Sequence, residues 1–365
     1  MIISKNDELI EYLNELIETK EINISVADLF LHSFNIPNLI DQNRLNHLKN
    51  EEGLLEKDAV VQLLLEAFEI DSENPENQYV IEHYLNDIYK QNLDEYLSNP
   101  YFKNIKIKPI KNGKYSLRYC SYQKYQLFPL DEISLKDSTY KEISKIGYFE
   151  KKYDYLALLE GDTIWMCITP NEMNTMKEAI DLAKGRVLVL GLGLGYYPYM
   201  ISLKDEVKEI VVIEKDKRII DIFNTNIAPN FRNSKITVIN ADAYEYLKTN
   251  QDFDMVFADL WHNPEDGIFH YIKLKKIEKD NNLNIAYWLE PSIIQMFRRC
   301  IITIFQEYFE GYTQDNYLFA ENDMDTLINC IYKMIKDKQF NTKEDVEKVL
   351  SDDFIHSLIV DGNFM

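Results

Sequence analysis

Three glycines at alternate positions follow an apolar run in the segment Val187-Leu188-Val189-Leu190-Gly191-Leu192-Gly193-Leu194-Gly195. Because glycine has no Cβ, the backbone can turn sharply there, and a ligand can approach the amides that begin the next helix. The next apolar run ends in Glu214, nineteen residues beyond Gly195. An acid at that place can accept hydrogen bonds from both hydroxyls of a ribose. The spacing predicts a nucleotide site, and the simpler alternative is an ordinary strand–helix turn.

A second group of polar side chains follows the apolar run Met255–Ala258. Asp259 comes directly after this run, and His262 follows three residues later. A carboxylate at the end of such a strand can attract a cationic substrate and can accept a proton from it. His262 could hydrogen-bond a substrate or share a proton with Asp259. We predict catalytic roles for both residues, and the alternatives are a capping acid and a structural histidine.

The elements that must position these residues alternate between strand and helix from residue 169 onward. This alternation predicts a doubly wound α/β fold with a mostly parallel sheet. Earlier in the chain, apolar residues recur at helical spacing up to residue 100, and they alternate with period two after it. We therefore expect a helical N-terminal domain at 1–100, a small β unit at 101–168, the nucleotide-binding α/β domain at 169–320 and a C-terminal helical segment at 321–365. A late strand is expected at 316–320.

The motifs differ from the dinucleotide-binding fingerprint, since Tyr196 stands where that fingerprint requires a third, packing glycine. The spacing G-x-G-x-G, the acid Glu214 and the segment Asn240-Ala241-Asp242-Ala243 together resemble the class I S-adenosylmethionine-dependent methyltransferases. The resemblance implies a Rossmann-like domain of that class, with S-adenosylmethionine as the cofactor. Within the superfamily, the region from about 101 to 265 is most similar to the spermidine synthases.

The resemblance also implies a role for each residue of the nucleotide site. The three glycines Gly191, Gly193 and Gly195 would pass close to the methionine and ribose of the ligand. Glu214 would bind the ribose. Asp242 would accept a hydrogen bond from the adenine amino group, and Ala243 would donate its backbone amide to the ring. Asp242 can also cap the helix that follows it, and the two roles are compatible.

Spermidine synthases carry an Asp-x-x-Asp-Pro type of loop after the fourth strand of this domain. Asp259 matches the first acid of that loop, His262 replaces the second, and Asn263 separates His262 from Pro264. Because of this difference, the leading hypothesis is a methyltransferase that acts on a small-molecule acceptor. One alternative is a spermidine synthase-like aminopropyltransferase. The other is a nucleotide-binding or non-catalytic protein that interacts through its N-terminal helices.

Composition limits the partners that can be expected. Sixty-one acids against forty bases give a net charge of −21, which would repel nucleic acid and suits a small or cationic substrate. The basic doublet Arg298-Arg299 is interpreted as part of a solvated helix face. The apolar runs are shorter than the ~20 residues that span a bilayer, and four scattered cysteines indicate neither disulfides nor a metal site. We expect a cytoplasmic protein, and a homodimer is compatible with the sequence.

Overall fold

The computed structural model describes the whole chain except residues 35, 37, 137, 232–234, 313–319, 321, 363 and 365. Most of the predicted strand at 316–320 therefore lies outside the described residues. Among the residues that are described, no helix combines the length and the apolar character needed to cross a membrane.

The N-terminal region is mainly helical, as its periodicity predicted. Its elements are β1 (Ile2–Ile3), α1 (Asp7–Ser33), α2 (Gln42–Asn50), α3 (Glu56–Ala67), α4 (Pro75–Tyr84), β2 (Ile88–Lys90), α5 (Leu93–Ser98) and α6 (Pro100–Asn104). The long helix α1 contributes to two hydrophobic cores. Leu9, Leu13 and Leu16 belong to the large core of the molecule, whereas Val26 and Phe30 belong to a smaller core with α2 and α3.

Short antiparallel strands follow. They are β3 (Ile110–Asn112), β4 (Tyr115–Tyr122), β5 (Phe128–Pro129), β6 (Ser134–Leu135), β7 (Glu142–Ile143), β8 (Ile146–Tyr148), β9 (Tyr153–Glu160) and β10 (Thr163–Cys167). One sheet has the order β10-β9-β4-β3, and another joins β2 to β8 and β5. Strand β2 of the first hundred residues thus shares a sheet with this segment. The domain boundary at residue 100 stays a prediction.

The α/β region contains the sheet that positions the site. Its elements are α7 (Pro170–Thr175), α8 (Lys177–Leu182), β11 (Gly185–Leu190), α9 (Tyr196–Ser202), β12 (Val207–Glu214), α10 (Lys217–Ile222), β13 (Ile236–Asn240), α11 (Ala243–Leu247), β14 (Met255–Ala258), α12 (Pro264–Asn281) and β15 (Ile285–Tyr287). In the described part of the chain, five strands pair in parallel in the order β13-β12-β11-β14-β15. The predicted doubly wound α/β fold is confirmed. The chain crosses from one side of β11 to the other, and this switch point opens a crevice at the carboxyl ends of β11 and β14.

The C-terminal region is again mainly helical, with α13 (Glu290–Phe309), α14 (Asp323–Ile335), β16 (Gln339–Phe340), α15 (Lys343–Leu350) and α16 (Asp352–Asp361). Helix α13 packs against α1, α12 and α14. Strand β16 pairs in parallel with β1, which brings the first residues of the chain against the C-terminal region.

The doublet Arg298-Arg299 corrects the expectation of a solvated helix face. Arg298 is only 6% exposed, donates to the backbone carbonyl of Leu350 and forms an ion pair with Asp352. The Arg299 guanidinium binds the carboxylate of Glu142, which is 3% exposed. Buried charges persist only when they are paired in this way. The doublet therefore joins α13 to β7 and to the C-terminal helices.

Candidate functional site

A cavity of about 920 Å³ lies at the carboxyl ends of the parallel strands. This volume is typical of a cavity for a nucleotide-sized ligand. Residues at the ends of strands β11, β12 and β14 line one part of it, and residues of β10 and α7 line another. Its lining includes nearly all of the predicted site residues, namely Gly191, Gly193, Glu214, Asp242, Ala243, Asp259 and His262.

The three glycines of the loop serve different geometric needs. Gly191 has a φ of 97°, and a Cβ there would lie 1.9 Å from the carbonyl oxygen of Asp259. Glycine at 191 thus lets the end of β11 run close beside the end of β14. Gly193 faces open space, whereas a Cβ on Gly195 would meet the Phe223 ring at 2.5 Å. Gly195 is therefore required for packing below helix α9, and the structure does not place it on the cavity wall.

Glu214 ends β12 and is held by the backbone on both sides of its carboxylate. One oxygen accepts a hydrogen bond from the Leu192 amide at 3.2 Å, and the other accepts from the Asp216 amide at 2.7 Å. Each carboxylate oxygen has a second acceptor position. The residue can thus fix the glycine loop and still accept hydrogen bonds from the hydroxyls of a ribose.

Asp242 follows β13 and caps the helix that comes next. Its Oδ1 accepts from the amides of Tyr244 and Glu245, at 3.0 and 3.2 Å. The alternative interpretation as an N-cap is confirmed, and it uses only one of the two carboxylate oxygens. The other oxygen lies 3.7 Å from Nζ of Lys215 and is left for a ligand.

The wall beside Asp242 includes two aromatic side chains that the sequence analysis did not single out. The Tyr244 hydroxyl lies 2.5 Å from Nδ1 of His270, and the two rings are stacked with an interplanar angle of 11°. Both residues line the cavity. A flat wall of this kind is suited to a planar base.

Asp259 lies where β14 ends, across the cavity from Glu214. Shielding from solvent raises the pKa of its carboxyl to about 7, and the negative charge of Glu214 adds to this effect. None of the described residues donates a hydrogen bond to this carboxylate. Asp259 can therefore exchange a proton near neutral pH, which is the property a general base requires.

Glu172 is a second carboxyl group in the cavity, and the sequence analysis missed it. Burial raises its pKa well above the usual range, and the neighbouring charge of Asp259 raises it further. Glu172 lies on α7, and its place near the helix start made it resemble a simple capping residue. The available signal was that the helical segment α7–α8 precedes the glycine strand β11.

His262 connects two walls of the cavity. The Trp165 indole nitrogen donates to Nε2 of His262 at 2.7 Å, and Nδ1 of His262 lies 2.9 Å from Oδ2 of Asp266. An indole N–H can only donate, so Nε2 is the acceptor and the proton resides on Nδ1. Because both ring nitrogens are engaged, the geometry favours a positioning role, in which His262 ties the loop after β14 to strand β10.

Replacing Trp165 by Phe should release this connection with little change in shape. In the wild-type protein, we expect long-range proton–nitrogen NMR spectra to show His262 as the Nδ1–H tautomer. In Trp165→Phe the proton should stay on Nδ1, which still faces Asp266, and the Nε2 signal should shift because this nitrogen loses its donor. The exposed His32 and the partly buried His83 serve as internal controls whose signals should not change. A wild-type His262 in the Nε2–H form would contradict the assigned connection.

The strand order, the glycine loop after β11 and the acid at the end of β12 define a Rossmann-like fold of the class I methyltransferase type. Residues 173–277 match the sequence model of a family described as the Spermine/spermidine synthase domain. The matched stretch begins in α7, ends in α12 and contains Glu214, Asp242 and Asp259.

Solved structures were also compared with this chain. Spermidine synthase from Thermotoga maritima has 17% identity and a TM-score of 0.28, covering 40% of this chain and 54% of that chain. A spermidine synthase in complex with the transition state analogue AdoDATO gives the same four values. Precorrin-8w decarboxylase from Methanobacterium thermoautotrophicum has 20% identity and a TM-score of 0.27, covering 33% of this chain and 64% of that chain. The chain thus spans between half and two thirds of these proteins.

The leading hypothesis of a methyltransferase was wrong. The match to the Spermine/spermidine synthase domain favours aminopropyl transfer, which was its alternative. The physical reason is that both reactions are displacements at a carbon bound to a sulfonium, on ligands that share the adenosyl group. The motifs that bind adenosine therefore do not distinguish the two, and the replacement of one loop acid by His262 was given too much weight.

Proposed function

We propose that the protein is an aminopropyltransferase that uses decarboxylated S-adenosylmethionine as the donor and a small amine as the acceptor. The observation that carries this proposal is the presence of two carboxyl groups, Asp259 and Glu172, in the cavity that also presents Glu214. The matched family supports it over methyl transfer. The donor carries a sulfonium and an ammonium, and the acceptor is a second amine, so the substrates bring several positive charges to one site.

In the reaction, the acceptor nitrogen attacks the aminopropyl carbon that is bound to sulfur. A carbon–nitrogen bond forms, the carbon–sulfur bond breaks with its electron pair going to sulfur, and methylthioadenosine leaves. The new secondary ammonium loses a proton, which the Asp259 carboxylate can accept. Alignment of the nitrogen with the carbon–sulfur bond supplies much of the rate in such displacements.

The electrostatics of the cavity suit these substrates. Burial raises the pKa of both carboxyl groups, and a neighbouring negative charge raises each further: Glu214 acts on Asp259, and Asp259 acts on Glu172. A bound ammonium would reverse this effect and would hold the carboxyl groups ionised. The site thus favours a bound cation, in keeping with the net charge of −21.

The cofactor-binding assignments belong to the same proposal. Glu214 would bind the ribose, Asp242 and the Ala243 amide would bind the adenine, and Gly193 would leave room for the sulfonium end. The expected partner is a small molecule, and a homodimer remains a proposal that depends on none of these residues.

Incubation of the full-length protein with decarboxylated S-adenosylmethionine and 1,4-diaminobutane tests the proposal. We expect methylthioadenosine and the aminopropylated diamine to appear in equal amounts, as measured by mass spectrometry. A parallel incubation with S-adenosylmethionine and the same diamine should yield no methylated product. If the folded protein binds the donor but releases no methylthioadenosine with any of a panel of diamines and polyamines, aminopropyl transfer is excluded.

A further inference from the structure

A second cavity, of about 490 Å³, shares no lining residue with the first. It lies between the segment 131–135, the first turns of α13 and the start of α16. Apolar side chains form part of its wall, and they are Ile133, Leu135, Pro291 and Ile294. Its charged lining residues are Asp131, Glu132, Lys145, Glu290, Arg298 and Asp352.

The two basic residues of this cavity are already paired. Lys145 lies 2.9 Å from the Asp131 carboxylate, and Arg298 forms an ion pair with Asp352. Glu132 differs, because its carboxylate accepts from the Ser292 hydroxyl at 3.2 Å and has no cationic partner among the described residues. Since Glu290 also lies 3.6 Å from Nζ of Lys275, Glu132 is the one lining acid whose charge has no cationic partner among the described residues.

His356 lies at the edge of the same cavity, with its side chain 41% exposed. The nearest carboxylate oxygen, on Glu290, lies 3.8 Å from its Nε2 atom, which is too long for a hydrogen bond. Among the described residues His356 forms no ion pair with Glu132, so the imidazole does not neutralise that carboxylate.

We propose that this second cavity binds a protonated alkylamine. The ammonium would pair with the Glu132 carboxylate, and the methylene groups would lie against Ile133, Leu135 and Ile294. A further N–H of the same ammonium could donate to the Glu290 carboxylate, since an ammonium offers three donors.

A metal ion is a weaker candidate for this place. Among the described residues, no group of three or more His, Cys, Asp or Glu side chains is arranged to hold one. Mg²⁺ and Ca²⁺ also prefer a shell of oxygen ligands, whereas a large part of this wall is apolar. An alkylamine satisfies both the charge and the apolar surface.

The protonation state of Glu132 makes the binding dependent on pH. Burial raises the pKa of its carboxyl to about 7, and the neighbouring acid Asp131 contributes to this effect. An ammonium pairs with the ionised form, so binding should strengthen as the pH rises through 7. The other charged groups that face this carboxyl are Lys145, Glu178, Glu290, Arg298 and Asp352.

The inference does not depend on the proposed reaction, although both involve amines. Trp288 lines the first cavity and Glu290 lines the second, so the start of α13 separates them. An amine bound in the second cavity would contact the first turns of this helix without entering the adenosyl site.

Methyl NMR of the full chain can tell the two cavities apart. Ile133 and Ile294 report on the second cavity, whereas Ile164 and Ile213 report on the first. With 1,4-diaminobutane as the probe at pH 8, we expect saturable shifts of the Ile133 and Ile294 methyl signals. Glu132→Gln should weaken this binding at least about tenfold, the equivalent of 1.4 kcal/mol.

Glu82→Gln is the matched control, because it removes the same charge from an exposed site on α4 and should leave the affinity within about twofold. If Glu132→Gln does not fold, Leu135→Trp provides a second test, since this partly exposed side chain would narrow the cavity. The proposal is overturned if Ile133 and Ile294 do not respond to the amine, or if Glu132→Gln binds it as well as the wild type. A response of Ile164 and Ile213 alone would reject the second site while leaving the proposed reaction intact.

Discussion

Asp259→Asn is expected to lower the rate of aminopropyl transfer by roughly 10² to 10⁴, the range typical of a general base. Asparagine keeps the shape of the side chain, but it can neither accept the proton of the acceptor nor neutralise its charge. The affinity for methylthioadenosine should stay within about threefold, less than 1 kcal/mol, because the adenosyl group is held by other residues. Single-turnover kinetics and calorimetry measure the two quantities separately.

The pH dependence follows from the raised pKa of Asp259. Below pH 7 its carboxyl is protonated and cannot serve as a base, so kcat/KM of the wild type should rise as the pH increases through about 7. The variant should lack this inflection. The raised pKa also means that ionising this carboxyl in the folded protein costs free energy. The free energy of unfolding therefore falls as the pH rises from the pKa of an aspartate in the unfolded chain to about 7. At pH 8 the variant should therefore melt no lower than the wild type, and loss of nucleotide binding would contradict the assignment.

Glu214→Gln should weaken binding of methylthioadenosine by tens-fold to more than a hundredfold. The carboxylate accepts from the amides of Leu192 and Asp216, and a glutamine offers one oxygen where these two amides need two. The substitution thus disturbs the glycine loop. It also removes a charge-assisted hydrogen bond to the ribose, and a bond of this kind is worth roughly 1.5 to 3 kcal/mol.

Glu209→Gln is the matched control for this prediction. Glu209 lies on the same strand, but its side chain is bound to Arg186 and does not line the cavity. Calorimetric titration of both variants at one pH is sufficient. Equal affinities for the two variants would show that Glu214 does not contact the ligand.

Much of the site follows from local sequence, because parallel strands place their carboxyl ends at one edge of a sheet. Glu214 and Asp259 each follow an apolar run, and that alone predicts their place at the cavity. The parts that were missed depend on contacts between distant segments. Trp165 and His262 are 97 residues apart, and no periodicity indicates that the indole would occupy Nε2 of the imidazole.

Burial of charge was the other obstacle to prediction. The Arg298-Arg299 doublet was interpreted as a solvated helix face, but Arg299 binds Glu142, which is 157 residues away, and Arg298 binds Leu350 and Asp352. Glu172 was hidden for a related reason. Its position near the start of α7 is typical of a capping residue. Only the three-dimensional arrangement brings it near Asp259.

The packing of α1 against α13 has a consequence for the timing of folding. On the ribosome, the apolar side chains Leu9, Leu13 and Leu16 emerge long before α13, which begins at Glu290. At a synthesis rate of about 5 to 20 residues per second, they would wait roughly 15 to 60 s for that partner. Strand β1 has a longer delay, since its partner β16 ends at Phe340. During synthesis, the first helix thus exposes an apolar surface that is prone to aggregation. The nascent chain would benefit from a chaperone until its last helices are made.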